Sequence, residues 1–277
     1  MGEKTLDNLI KNCPINQTIG DNLVRAWSKI NSIKYRKIVC SISGGSDSDI
    51  MLDICHKCDK DNKIEYVWFD TGLEYQATKD HLKYLEDKYG IEIMAYKAIK
   101  PIPISCRQYG QPFLSKYASD MISRLQKHDF QWEDKPLNDL LEKYCKWNAK
   151  KKDWVGCKGA LLWWCNANRN AKFCIKYNKW LKEFMIENPP QYKISSKCCN
   201  YAKKAVMHKL IHDYSYDLNI LGVRRAEGGI RSTSYKSCFD ENGDGYDNYR
   251  PLFWYTNSDK DDYENHYCIA HSKCYTE

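Results

Sequence analysis

Ile38-Val39-Cys40-Ser41-Ile42-Ser43-Gly44-Gly45-Ser46-Asp47-Ser48 is the stretch that decides the fold class of this 277-residue chain. Its first five residues are β-rich, and a glycine pair ends the run. Apolar residues then recur through Ile50, Met51 and Ile54, which predicts a helix over 49–58. Between a strand and a helix, glycines let the backbone approach a ligand closely. The free amides at the helix start then face an anion, helped by the helix dipole. Ser46 and Ser48 add hydroxyl donors. An ordinary strand-to-helix turn has the same outline, and neither the Walker pattern nor the dinucleotide fingerprint is present. The local residues therefore specify an anion site and nothing finer.

Outward from the loop, 21–35 reads as an amphipathic helix with Leu23, Trp27 and Ile30 on one face. Downstream, 64–69 is a second strand closed by Asp70-Thr71-Gly72, and Gln76–Tyr89 is a helix with Gly90 as its stop signal. A third strand is expected over 91–95. Strands alternating with helices of this length indicate a parallel sheet with right-handed crossovers. After Lys100 the pattern changes. Pro101 and Pro103 punctuate the chain, and 105–190 is rich in Trp, Tyr and Lys, with helices expected at 115–127, 135–147 and 173–187. This reads as a mainly helical insertion covering the ligand. Its tryptophans Trp154, Trp163 and Trp164 read as core, since aromatics dominate core burial. A β-like run at 218–223 resumes the sheet, and the segment with Gly243 and Gly245 reads as a loop. The expected fold is α/β: a twisted, mostly parallel sheet flanked by helices, with a mainly helical insertion and a cysteine-containing C-terminal region. The expected divisions are 1–100, 101–190 and 191–277.

Composition limits the function classes. Hydrophobic residues make up 43%, which excludes a compositionally disordered chain. No apolar run approaches the ~20 residues that span a bilayer. Residues 1–20 are polar and lack the apolar centre of a signal peptide. A soluble, cytoplasmic protein without a membrane partner is the expectation. In a reducing compartment the fourteen cysteines are buried, metal-binding or redox-active. Cys40, Cys55 and Cys58 read as buried thiols. Cys55-His56-Lys57-Cys58 has ligand-like spacing, but no matching pair follows nearby. The net charge of +7, from 43 Lys+Arg against 36 Asp+Glu, favours an anionic partner. A nucleotide alone satisfies that balance; nucleic acid is a second candidate.

Ser43-Gly44-Gly45-Ser46-Asp47-Ser48 resembles the SGGxDS pyrophosphate loop of the adenine-nucleotide α-hydrolase (PP-loop) superfamily. Phe69-Asp70-Thr71-Gly72-Leu73-Glu74, with Thr78 beyond it, resembles the DTG-x-x-(F/Y)-x-x-T signature of the phosphoadenosine phosphosulfate (PAPS) reductase family. Gly222-Val223-Arg224-Arg225-Ala226-Glu227, followed by Arg231, resembles the G-(I/V)-R arginine motif of the same family. The three occur in the family's order. The resemblance implies an adenine nucleotide, either ATP or PAPS/APS. Ser43 to Ser48 would hold its phosphates, and Asp70, Thr71 and Gly72 would line the nucleotide side. Arg224, Arg225 and Arg231 would bind the anionic end, where a planar guanidinium suits phosphate oxygens.

The same resemblance divides the cysteines. Cys198-Cys199, followed by Asn200-Tyr201-Ala202-Lys203, resembles the adjacent pair of the family's iron–sulfur subgroup, and Cys238 follows the arginine motif as in related sequences. These three are implied iron–sulfur ligands, although a cluster normally takes four thiolates; the bland alternative is buried or surface thiols. Cys199, Cys238 and Asp47 are the catalytic candidates. The segment from Arg169 to Lys176, with Cys174, is loosely similar to a family stretch near the nucleotide. Two departures stand out. Ser46 occupies the position where ATP-cleaving members often carry lysine, which removes a phosphate contact unless another cation substitutes. Tyr249 to Trp254 and Cys268 to Tyr275 are similar to the family's late segments, but neither R-x-G-C-x-x-C nor a reductase tail E-C-G-x-H appears in this sequence. Either the natural chain continues, or Cys268 and Cys274 take over, or the chemistry differs. The implied function is reductive sulfur metabolism or sulfur transfer, as a sulfonucleotide reductase-like oxidoreductase served by a thiol reductant protein. The alternatives are an ATP pyrophosphatase-type sulfurtransferase acting on tRNA or DNA with magnesium, and a non-catalytic nucleotide-binding subunit.

Overall fold

The computed structural model describes residues 4–228, 235–241 and 243–275. The chain divides into two compact units, Met1–Pro101 with Ala202–Glu277, and Ile102–Tyr201. The second unit thus takes in Cys198 and Cys199.

In the first unit, strands β1 (Ile38–Ile42), β2 (Ile64–Asp70), β3 (Ile93–Lys97), β6 (Leu218–Ile220), β7 (Phe239–Glu241) and β8 (Asp247–Tyr249) form one sheet of order β3-β2-β1-β6-β8-β7. All pairings are parallel except β7 with β8, so the sheet is mostly parallel with one antiparallel edge. In β1, Ile38, Cys40 and Ile42 enter one core, together with Leu23 and Ile30 of α2 (Gln17–Ile30) and Ile50 and Ile54 of α3 (Ser46–Cys58). Val39 points to the other face, against Val67 and Phe69 of β2 and Leu210 and Ile211 of α10 (Ala205–Tyr214). Burial on both faces is why β1 reads as a continuous apolar run rather than an alternating one.

Several boundaries differ from expectation for local reasons. The helix after the loop begins at Ser46, three positions earlier than expected, because Gly45 takes the extended N-cap conformation inside the motif. α2 starts at Gln17, where the Asn16 side chain accepts from the Ile19 amide. α4 (Gln76–Tyr89) matches its expected span and ends on Gly90 in the left-handed conformation. The expected loop around Gly243 and Gly245 is flanked by β7 and β8, whose three residues each are too short to show a period.

The second unit is mainly helical. It contains α5 (Ile102–Tyr109), α6 (Lys116–Gln126), α7 (Leu137–Tyr144), α8 (Lys158–Trp164) and α9 (Leu181–Glu187), with a hairpin of β4 (Cys145–Asn148) and β5 (Asp153–Gly156). The helix expected over 135–147 therefore gives way to a strand at Cys145. The one expected over 173–187 starts as short 3-10 turns and becomes α-helical only at Leu181. Trp163 and Trp164 are fully buried in this unit's core, while Trp154 is half-buried against Trp147. Among the described residues no helix is long and apolar enough to cross a membrane.

Candidate functional site

The three motif turns lie at the carboxyl ends of adjacent strands: 43–48 after β1, 70–72 at the end of β2, and 222–225 after β6. From β1 the chain proceeds to β2 and β3 on one side, whereas β6 continues the sheet on the other. Connections part at β1, and such a point leaves a crevice outside the strand ends where ligands bind. Gly44 is buried with φ +70°, and a Cβ there would sit 3.0 Å from Thr78 Cγ2. The turn after β6 is close as well, since a Cβ on Gly222 would stand 3.4 Å from Met51 Sδ and 3.8 Å from the Asp47 carbonyl. The loop is closed by its own serines. The Ser43 amide donates to Ser48 Oγ at 2.9 Å, and the Gly45 amide donates to Ser43 Oγ at 3.3 Å. The N-cap position of α3 carries no side-chain cap. The Ser46 amide instead donates to the Tyr275 hydroxyl at 3.3 Å.

Two cations meet Asp47 in the first turn of α3. Arg224 Nε lies 2.9 Å from one carboxylate oxygen and Lys260 Nζ lies 3.3 Å from the other. Arg224 also donates to Asn257 Oδ1 at 3.1 Å and to the Thr256 carbonyl, and its backbone amide donates to the Glu227 carboxylate. Its side chain is 8% exposed. Lys260 comes from α11 (Asn257–Tyr267), which Thr256 and Asp259 cap reciprocally. Lys260 Nζ donates to Ser46 Oγ at 2.5 Å and lies 3.5 Å from Glu264.

Behind the loop, Asp49 is fully buried, and a buried carboxylate requires partners. His81 Nε2 stands 3.0 Å and His271 Nδ1 2.9 Å from its Oδ2. His271 Nε2 lies 3.0 Å from Glu264, so one chain of charges runs from Asp49 through His271, Glu264 and Lys260 to Asp47 and Arg224. One turn further along α3, Asp53 pairs with Lys57 and accepts from Tyr89 of α4 and Tyr263 of α11, which fixes the helix in place. The hydrogen bond to Asp49 raises the pKa of His271, with burial opposing, Glu264 adding to the rise and Lys260 reducing it. A raised folded-state pKa means that the His271 contribution is fully present below the ordinary value of 6.5 and is lost as pH climbs through the raised one. The Tm difference between wild type and His271→Gln is therefore expected to be largest below about pH 6 and to shrink on the alkaline side. A pH-independent difference would show that His271 acts by packing alone.

His271 opens the segment that reaches the loop. Ser272 Oγ donates to the Ala77 carbonyl at 3.1 Å, and the exposed Cys274 brings its Sγ 3.9 Å from Thr78 Oγ1. Cys268 is an exposed left-handed cap at the end of α11. On the β2 side, Asp70 Oδ1 accepts from the Gly72 amide at 2.9 Å and Thr71 donates to Glu74 at 2.6 Å, so this motif folds upon itself as a tight turn. Arg225 donates its backbone amide to Phe253, and its guanidinium lies 5.8 Å from the Trp254 ring centre. Arg231 lies outside the described residues.

The implied cluster cysteines are distributed between the units. Cys198 and Cys199 belong to the second, and Cys238 belongs to the first, at a cleft of about 190 Å³ beside Arg25 and Tyr249. Burial pushes the Cys198 thiol up to about 11, with Cys199 and Cys106 adding to the rise. Among the described residues no group of three or more Cys, His, Asp or Glu side chains is arranged to hold a metal ion. Cys40, Cys55 and Cys58 are fully buried, and desolvation raises Cys55 and Cys58. Cys174 is buried too, with its Sγ 3.6 Å from the Asn168 carbonyl.

Sequence reasoning missed Lys260, His81 and Asn257, which belong to no motif, and assigned no role to His271 inside the 268–275 segment. Asp49 carried a readable signal. An acid four positions past the glycines, on the helix that also bears buried Ile50, Met51 and Ile54, must find partners elsewhere.

Residues 37–147 match the model of the phosphoadenosine phosphosulfate reductase domain. No curated protein matches the chain in sequence. Among solved structures, the chain is similar to a phosphoadenylyl-sulfate (PAPS) reductase from Candida auris in a phosphate complex, at 11% identity and a TM-score of 0.46, covering 100% of this chain and 92% of that one. It is also similar to an NH3-dependent NAD synthetase from Campylobacter jejuni, at 12% identity and a TM-score of 0.31, covering 74% of this chain and 96% of that one.

Proposed function

We propose that this chain, which belongs to the phosphoadenosine phosphosulfate reductase domain family over residues 37–147, binds an adenylyl nucleotide and acts on sulfur at the corner formed by Gly44, Ser46, Thr78 and Cys274. The observation that carries the reading is the placement of a thiol beside an anion loop. Tyr275 Oη takes the Ser46 amide, a bond that a phosphate oxygen would accept in its place, and the next residue back is Cys274. His271 and Ser272 anchor the segment upstream, so a nucleotide can replace the phenol while the thiol stays near the loop.

With an adenylyl phosphosulfate, the Cys274 thiolate attacks the sulfonate sulfur. A sulfur–sulfur bond forms, the sulfur–oxygen bond to phosphate breaks, and the adenosine 5′-monophosphate leaves with the electron pair. A thiol reductant protein then attacks the sulfur of Cys274 and releases sulfite, and a second reductant thiol restores Cys274 as the reductant becomes a disulfide. Mixing the protein with radiolabelled adenylyl phosphosulfate, without reductant, is expected to label wild type covalently and to leave Cys274→Ser unlabelled. Equal labelling of both proteins would discard Cys274, and none in either, with nucleotide bound, would discard the reductase chemistry.

The two cations at Asp47 also favour a second reading, an ATP pyrophosphatase that activates its target by adenylylation. Release of pyrophosphate from ATP with magnesium, in the presence of a nucleic acid acceptor, separates it from the first.

A further inference from the structure

Position 46 is the first residue of α3, and there the loop carries a hydroxyl with no charge of its own. Lys260 Nζ stands 2.5 Å from that hydroxyl, in the space a longer side chain at 46 would enter. The ammonium is held there from two sides, by Asp47 at 3.3 Å and Glu264 at 3.5 Å, and its side chain is 16% exposed. Asp47 has Arg224 as a nearer partner at 2.9 Å. An ammonium has three donors and no acceptor. One is on Ser46 Oγ, and neither flanking carboxylate is within 3.2 Å. α11 thus brings a preoriented cation to the amides of the loop, where its field adds to that of the helix start.

We infer that Lys260 is the loop's phosphate-binding cation, supplied from the distant helix α11 of the same chain to the site where Ser46 leaves the charge out. It contacts the group attached to the α-phosphate of an adenylyl anhydride, whether sulfate or pyrophosphate, and so sets the preference for anhydrides over a monophosphate. Ser46 is the complementary half of the arrangement, since a small side chain is needed to admit the lysine. The assignment rests on the nucleotide reading above.

Calorimetric titration of the full chain with adenosine 5′-phosphosulfate, ATP and AMP tests both together. Lys260→Met is expected to weaken the two anhydrides by about 10- to 100-fold and AMP by much less, as loss of one charge-assisted contact predicts. Ser46→Lys combined with Lys260→Met is expected to restore most of the lost affinity, and Lys260→Arg to retain it, which a merely structural lysine would not produce. Wild-type affinity in Lys260→Met overturns the assignment while leaving the nucleotide site intact. Equal weakening of all three ligands without rescue by Ser46→Lys overturns it too, and gives Lys260 a structural role. Failure of wild type to bind any of the three removes the nucleotide reading and the assignment with it. Melting curves of each variant identify any that do not fold, and for those the Lys260→Arg and double-variant titrations decide.

Discussion

Arg224→Met is expected to destabilise the first unit by about 3 kcal/mol, because it strips a nearly buried guanidinium partner from a carboxylate that is only 16% exposed. The guanidinium is 8% exposed and ties three places together: Asp47 at the start of α3, Asn257 at the start of α11, and the Thr256 carbonyl. Methionine fills much of the volume but donates nothing, so Asp47 keeps Lys260 alone and the two acceptors at α11 lose a donor. Denaturant unfolding is the measurement, with the midpoint falling at an unchanged slope. Asp47→Asn added to Arg224→Met is expected to return about 1 kcal/mol or more, since a buried amide is cheaper to leave half-paired than a buried charge. A variant as stable as wild type that no longer binds nucleotide would reverse the assignment. Arg224 would then be a ligand clamp, as the arginine motif suggests, and its contact with Asp47 a resting position.

The second large effect lies in the other unit. Trp164→Ala is expected to cost about 4 kcal/mol, the range for emptying an aromatic from a packed core. Trp164 is fully buried, with Phe130 at 5.3 Å and Trp132 at 5.8 Å in edge-on contacts, and its indole Nε1–H donates to the Glu133 carbonyl at 2.9 Å. The substitution leaves a cavity and an acceptor without its donor at once. Hydrogen exchange on the full chain is expected to show protection falling across 102–201. Protection unchanged there, with weakened nucleotide binding, would make Trp164 a stacking platform instead of core.

These two residues also mark how far the sequence could be read. The core reading of Trp163 and Trp164 needed only their size and apolar neighbours, and burial agrees with it. The loop was legible because strand, glycines and helix are contiguous. Arg224 was visible as a motif residue, but its engagement with Asp47 spans 177 positions and has no local signature. Lys260 was invisible. It sits in Asn257–Tyr267, a helix of mostly polar residues whose pattern shows no apolar stripe to mark a buried face. What docks that helix is Tyr263, whose hydroxyl bonds to Asp53 from 210 positions away. The hairpin of β7 and β8 escaped for a different reason, because three-residue strands carry too few side chains for alternation to be counted.

What the sequence alone determined is the half of the site made by neighbours in the chain. The run from Ile38 to Ser48 must form a buried strand, a turn with left-handed Gly44, and a helix start with exposed amides, because each step follows from residues a few positions apart. Which groups surround those amides was decided by tertiary structure. Lys260, His271, Cys274 and Tyr275 reach the loop because α11 packs on α2 and α3 and the following segment lies along α4. Burial of Tyr255 and Tyr263 in the shared core drives that packing, and it carries the charges with it. Local periodicity has no access to contacts made across two hundred residues, and those contacts set the charge at the loop and the thiol beside it.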